Sequence, residues 1–175
     1  MVGLALAGTV HPVQAQDSGA LGFYVGLGAE RSRFEFTEGL LGPVEYSDLS
    51  AYGFAGIRGP LGPRGFWAGE IDVSNADDGG FSYRTTRLRA LAGRDFGGLE
   101  GYIALGLARN TNDASDFWTG NTLDGTTFGL GIQAPISKIN GLMVRLEAIR
   151  DDYDDDGKLA GISATSIRAA AMFNF

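Results

Sequence analysis

Apolar residues fall on alternate positions from Leu21 onward. Leu21, Phe23, Val25, Leu27 and Ala29 are separated by Gly22, Tyr24, Gly26, Gly28 and Glu30. A period of two assigns each set to one face of a strand, because successive side chains of an extended chain point opposite ways. The pattern returns over 49–58, 67–74, 87–93, 102–108, 127–134, 142–149 and 167–175, which makes eight predicted strands. Segments 142–150 and 165–173 are rich in helix formers, yet their alternation and the company of six other strands outweigh propensity.

The connections alternate in length. Polar stretches at 37–47, 75–82, 110–125 and 151–161 are long, whereas Gly59-Pro60-Leu61-Gly62-Pro63, Gly97-Gly98 and 137–141 are short and carry turn residues. Long at one end and short at the other is how an up-and-down transmembrane barrel is strung. The predicted fold is all-β, an eight-stranded antiparallel up-and-down transmembrane β-barrel spanning 16–175 as one domain.

The two faces differ in charge. On the apolar face only Arg94 is charged, whereas the opposite face carries Glu30, Arg58, Glu70, Asp72, Arg89, Arg145, Glu147 and Arg168. That second face also holds most of the glycines and too little apolar bulk for a hydrophobic core. The apolar face is therefore expected to meet lipid and the charged face to fill the lumen, which eight strands make narrow enough for side chains to close. An isolated buried charge is expensive. The four acids and four bases are accordingly expected to form an ion-pair network that plugs the barrel. Arg58 and Arg87 lie close enough to strand ends that simple hydration is the competing reading.

Arg31, Arg33, Arg84, Arg109 and Arg150 share the lipid-facing parity just beyond the apolar rows. Arginine costs about 2–4 kcal/mol at the midplane of a membrane barrel and about 0–1 near the interface, so all five belong at the rim bearing the long loops. Planar guanidinium groups bind phosphate bidentately, so this belt is a candidate contact for lipopolysaccharide, a solvated rim paired with loop acids being the alternative. Aromatics suit girdles at both interfaces: Phe66, Trp67, Phe96, Tyr102, Phe173 and Phe175 near the turns, and Phe36, Tyr46, Phe81, Tyr83, Trp118 and Tyr153 near the loops.

Composition narrows the chemistry. The 175 residues, 44% hydrophobic, contain no apolar run long enough for a helical membrane span. Cysteine is absent, which removes disulfides, thiolate metal sites and cysteine nucleophiles. Residues 1–15 read as a secretory leader, apolar over 1–10 and closing on Val13 and Ala15 before Gln16. The single histidine, His11, falls inside it, so the mature chain is expected to lack histidine-based catalysis. A net charge of −7 argues against a nucleic-acid partner. Asp152-Tyr153-Asp154-Asp155-Asp156-Gly157 imitates the start of a calcium loop, but Ser163 stands where the bidentate glutamate belongs, so Asp152, Asp154 and Asp156 are only a weak metal candidate. No cofactor is expected. Gly26-Leu27-Gly28 and Gly129-Leu130-Gly131 precede no helix and are expected to make room inside a narrow barrel.

The last strand ends on Phe175, with Phe173, Ala171, Ala169 and Ile167 on the same face. This resembles the C-terminal signature of bacterial outer-membrane barrels, with Ala170 where that signature has glycine. The chain from Gln16 to Phe175 resembles the small OmpA/OmpX-like and opacity-type barrels, and Gly22-Phe23-Tyr24-Val25-Gly26-Leu27-Gly28 is similar to their first strand. The resemblance implies that Ile167, Phe173 and Phe175 are read by the barrel-assembly machinery. It also implies an outer-membrane location, with extracellular loops and periplasmic termini. Function follows less closely, since this scaffold serves adhesins, structural proteins, pores and lipid A enzymes. The expectation is a non-enzymatic structural or surface-interaction protein whose loops meet an unspecified extracellular ligand. A narrow low-conductance pore and a soluble exported binding module are the alternatives.

Overall fold

Alternation gives strands throughout. A computed structural model describes residues 21–36, 44–78, 81–112, 122–154 and 162–175; the proposed leader, 1–15, lies outside them. The strands are β1 (Gly22–Phe36), β2 (Val44–Leu61), β3 (Gly65–Asp78), β4 (Phe81–Asp95), β5 (Glu100–Asn112), β6 (Thr122–Pro135), β7 (Leu142–Tyr153) and β8 (Ile162–Asn174). Each pairs antiparallel with its neighbour in sequence, and β8 returns to β1 to close the barrel. Closure removes the unpaired edges that an open sheet would present. At the seam, the Phe175 amide donates to the Phe23 carbonyl at 2.9 Å. The helix formers of β7 and β8 are overridden by these ladders.

Strands of 12 to 18 residues exceed the ~9–11 needed to cross a bilayer. The excess corrects the expected loop boundaries. Residues 75–82 were expected to be a connection, yet β3 and β4 stay paired out to Asp78 and Phe81. Backbone pairing needs no apolar side chain, so strands continue beyond the point where the apolar row stops. The other end has tight turns, with Gly62, Gly97, Gly98 and Gly141 at positive φ, where a side chain would be strained. In the β4–β5 turn, Asp95 Oδ1 accepts from the Gly97 and Gly98 amides, each at 2.8 Å. Those two bonds hold the Asp95 carboxyl below its usual range.

Outward positions are apolar and exposed: Leu27 is 75% accessible, Leu49 71% and Ile167 69%. Inward positions form three layers. Nearest the turns lie Tyr24, Tyr52, Phe54, Phe66, Leu91, Tyr102, Met143 and Met172. Nearest the loops lie Phe34, Ala108, Tyr153, Ile162 and Ala164, with Tyr83 and Leu123 against them. Between them sits the charge. The interior thus holds more apolar bulk than the sequence reading allowed, because aromatic and methionine side chains on the glycine-rich face supply it.

The girdle is corrected too. Trp67, Phe96, Phe173 and Phe175 point outward near the turns, but Phe66 and Tyr102 point inward. Phe66 and Trp67 are adjacent in one strand and must face opposite ways. Among the loop-end aromatics, Tyr83 and Tyr153 also pack inward, while the side chains of Phe36, Tyr46 and Phe81 and the whole of Trp118 lie outside the described residues.

Candidate functional site

Every second residue of the middle of each strand points into the lumen, and there the charged side chains meet. Glu30, Glu70, Asp72, Glu147, Arg89, Arg145 and Arg168 are all at most 3% exposed. Arg89 contacts Glu70 closely and donates Nη1 to Glu147 Oε1 at 2.7 Å. Arg145 Nη1 donates to Glu70 Oε2 at 2.5 Å, and its Nε donates to Gln133 Oε1 at 3.0 Å. Arg168 donates Nε to Glu147 Oε2 at 2.7 Å, with its Nη1 3.2 Å from Asp72 Oδ1. Seven of the eight residues named for the lumen therefore form one cluster.

Arg58 stands apart from them. It lies at the turn end, pairs bidentately with Glu100 at 3.0 and 3.2 Å, and stacks 4.3 Å from the Phe66 ring centroid. A relay ties it to the cluster: Gln133 Nε2 donates to Glu100 Oε2 at 2.5 Å, while its Oε1 receives Arg145.

Two central members escaped the sequence reading. Arg87 is 1% exposed rather than hydrated, and serves three carboxylates, those of Glu30, Asp72 and Asp151. Asp151, 0% exposed, takes Arg87 Nη2 at 2.8 Å and Nε at 3.0 Å. Parity could have found both. Arg87 is two residues from Arg89 and Asp151 four from Glu147, so each shares a face with a named member. The signal was lost because both sit where the outer apolar row has ended.

Aromatic rings also pack against two of the guanidiniums. Arg145 lies over Phe54, Tyr102 and Tyr24, at 4.6, 5.2 and 5.6 Å to their centroids, and Arg168 lies 4.5 Å from that of Tyr52. The Tyr24 hydroxyl donates to Glu70 Oε2 at 2.9 Å. The aromatic layer is thus a floor under the ionic one.

Outside, Arg31, Arg33, Arg84, Arg109 and Arg150 are all exposed at the loop end. Protein groups already engage several of them. Arg109 Nε donates to Asp124 Oδ1 at 2.6 Å, Arg150 pairs with Asp152 at 2.9 Å, and Arg84 Nε donates to Asn75 at 2.9 Å. Arg33 lies 3.9 Å from Glu35, and Arg31 sits between Leu49 and Ile167 of the neighbouring strands. Ile167, Phe173 and Phe175 face outward, the two phenylalanine rings 5.2 Å apart. Asp152 is taken by Arg150 and Asp156 lies outside the described residues; among the described residues no cluster of side chains is arranged to hold a metal.

A closed, all-antiparallel barrel of eight strands, apolar outside and ionic within, is the fold of the small outer-membrane β-barrels. The chain is similar in structure to Ail, the attachment invasion locus protein of Yersinia pestis, with a TM-score of 0.63 at 10% identity over 91% of this chain and 100% of that one. It is similar to neisserial surface protein A, with a TM-score of 0.57 at 14% identity over 87% of this chain and 97% of the other. The N-terminal barrel domain of Pseudomonas aeruginosa OprF gives 0.50 at 16% identity, covering 86% and 97%. No protein-family model and no curated sequence matches the chain. The likeness is one of fold.

Proposed function

We propose that this chain is a non-enzymatic surface protein of a Gram-negative outer membrane, with its four longer connections extracellular and its termini periplasmic. Its role is structural or adhesive, exercised through those loops and a ligand they select. The observation that carries the reading is the inversion of the faces. Leu27, Leu49, Leu105, Leu107 and Ile167 point out while nine acidic and basic side chains are buried within. In water that arrangement would expose the apolar surface and bury the charge; in a bilayer both faces are matched.

The lumen acts as a plug in this reading. Arg87, Arg89, Arg145 and Arg168 each reach across the lumen to a strand that is not their neighbour, and an apolar layer lies above and below them. Lipopolysaccharide is the proposed neighbour of the loop-end belt, with Arg31 its leading contact because the other four already touch protein groups. The C-terminal strand is the proposed signal for the barrel-assembly machinery.

Fractionation with a heat-modifiable gel shift tests the location. The protein is expected with outer membranes, running faster unheated than boiled; recovery as a detergent-free soluble monomer would overturn the reading. Planar-bilayer recording tests the plug. Silence is expected, and steady single-channel current would establish the pore instead.

A further inference from the structure

Arg94 is an outward-facing charge at the opposite end of the barrel from the belt. It lies near the end of β4, exposed, on the parity of Leu88, Ala90 and Ala92. Its strand partners are Gly65 on β3 and Gly101 on β5. Neither glycine has a side chain to cover the guanidinium, so Arg94 stands in a notch one strand wide on each side. Among the described residues no carboxylate pairs with it, unlike Arg109 and Arg150 at the other end. The nearest acid in sequence, Asp95, is committed to the Gly97 and Gly98 amides.

The notch has an aromatic wall on its β5 side and a second cation close by in the chain. Trp67 faces outward opposite Ala92, two residues along from the Gly65–Arg94 pair, with its indole leaning over Gly59 of β2 rather than toward β4. Phe96 leans on the other side, its ring 3.3 Å from where a Gly101 Cβ would be. Arg64 is exposed in the turn directly before Gly65, tied to this strand pair by the Asp95 amide donating to the Arg64 carbonyl at 2.8 Å. A cation at the edge of the apolar band, with Phe96 beside it and no carboxylate paired to it among the described residues, matches a lipid headgroup phosphate whose chains run down the adjoining apolar face.

We propose that Arg94, with Arg64 beside it, forms a headgroup site for an anionic phospholipid of the leaflet at the turn end. The site rests on the membrane reading given above. In that reading it anchors the periplasmic rim, while the loop-end arginines lie in the other leaflet.

Trp67, outward-facing at the same end of the barrel, reports on the lipid there. The chain has two tryptophans, so a Trp118→Phe background leaves Trp67 alone. The full chain is refolded into phosphatidylcholine vesicles containing equal fractions of brominated phosphatidylglycerol or brominated phosphatidylcholine, and quenching is compared. One juxtamembrane arginine is worth about 1 kcal/mol, so an apparent preference of about fivefold for the anionic lipid is expected. Arg94→Gln should return the ratio to about one, Arg64→Gln should lower it in part, and Arg109→Gln at the far end should leave it unchanged. Arg94→Lys keeps the charge and covers the case in which the glutamine variant fails to give the heat-modifiable band. Added inorganic phosphate should not displace the lipid; displacement would overturn a lipid site in favour of a free-phosphate one. Equal quenching by the two brominated lipids, or a preference that survives in Arg94→Gln, would overturn the headgroup site and leave the membrane reading intact. No quenching by either lipid would overturn the membrane reading itself.

Discussion

Tyr24 stands directly across β1 and β2 from Gly56, with its hydroxyl 2.4 Å from where the glycine's Cβ would be. Four more inward aromatics repeat the relationship: Phe54 over Gly26, Tyr52 over Gly28, Phe66 over Gly93 and Tyr102 over Gly131. A barrel of eight strands has little width, and a ring can lie flat only where its cross-strand partner has no side chain. This gives the glycine excess its structural meaning on the inner face.

Restoring a Cβ at these positions should destabilise in proportion to the clash. Gly56→Ala would strike the Gly69 carbonyl at 2.6 Å as well as Tyr24, so neither neighbour can simply swing away. A loss of about 1–3 kcal/mol is expected by urea titration of the heat-modifiable band, as for other overpacked interiors. Gly69→Ala, whose nearest neighbour is an Ile57 atom at 3.9 Å on the outer side, is the matched control and should change stability far less.

Among the described residues Arg87 is the single cation contacting Asp151, and Glu30 and Asp72 share it. Arg87→Leu leaves Asp151 buried with no cation beside it, whereas Glu30 and Asp72 keep Arg168. Breaking a buried pair from one side costs about 3–5 kcal/mol. The double variant Arg87→Leu with Asp151→Leu should recover much of that loss, since the orphaned charge is gone. A double-mutant cycle measures the coupling, and strict additivity would show that the two do not act as a pair.

Outward and inward faces were legible in the sequence because parity survives whatever surrounds the strand. The sign of each face followed from Glu30, Glu70 and Glu147 sharing a parity that Leu27, Ile71 and Leu146 do not. What parity leaves out is height. Arg58 and Arg89 share the inner face, yet Arg58 sits at the turns with Glu100 and Arg89 in the middle. Height depends on register between strands, and no single strand encodes it. The same gap hid Asp151, whose partner Arg87 lies 64 residues away. Strand ends were missed for another reason: beyond the apolar band, pairing continues through polar residues that look like loop.

Height also governs the cost of a charge on the outer surface. Leu105 is outward-facing, 57% exposed, and central in the apolar row of β5 between Ile103 and Leu107. Leu105→Arg is expected to cost about 2–4 kcal/mol in a bilayer, against about 0–1 for an arginine at the rim. Thr111→Arg, on the same face beyond Arg109, supplies the rim comparison. Equal costs at the two positions, measured by reversible unfolding in vesicles, would show that β5 does not cross the hydrocarbon where its apolar residues lie.

Phe175 separates a structural contact from a recognition signal. Its side chain is 62% exposed and touches Phe173, while its backbone closes the barrel through the Phe23 carbonyl. Phe175→Ala keeps the backbone bond and removes only an exposed ring, so in-vitro stability in detergent or vesicles should fall by about 0.5 kcal/mol or less. If the assembly machinery reads this ring, the same substitution should sharply lower the amount inserted in cells, with unfolded chain accumulating before insertion. Restoration by Phe175→Tyr but not by Phe175→Leu would assign the effect to an aromatic terminus. Parallel losses in vitro and in cells would place the role of Phe175 in stability alone.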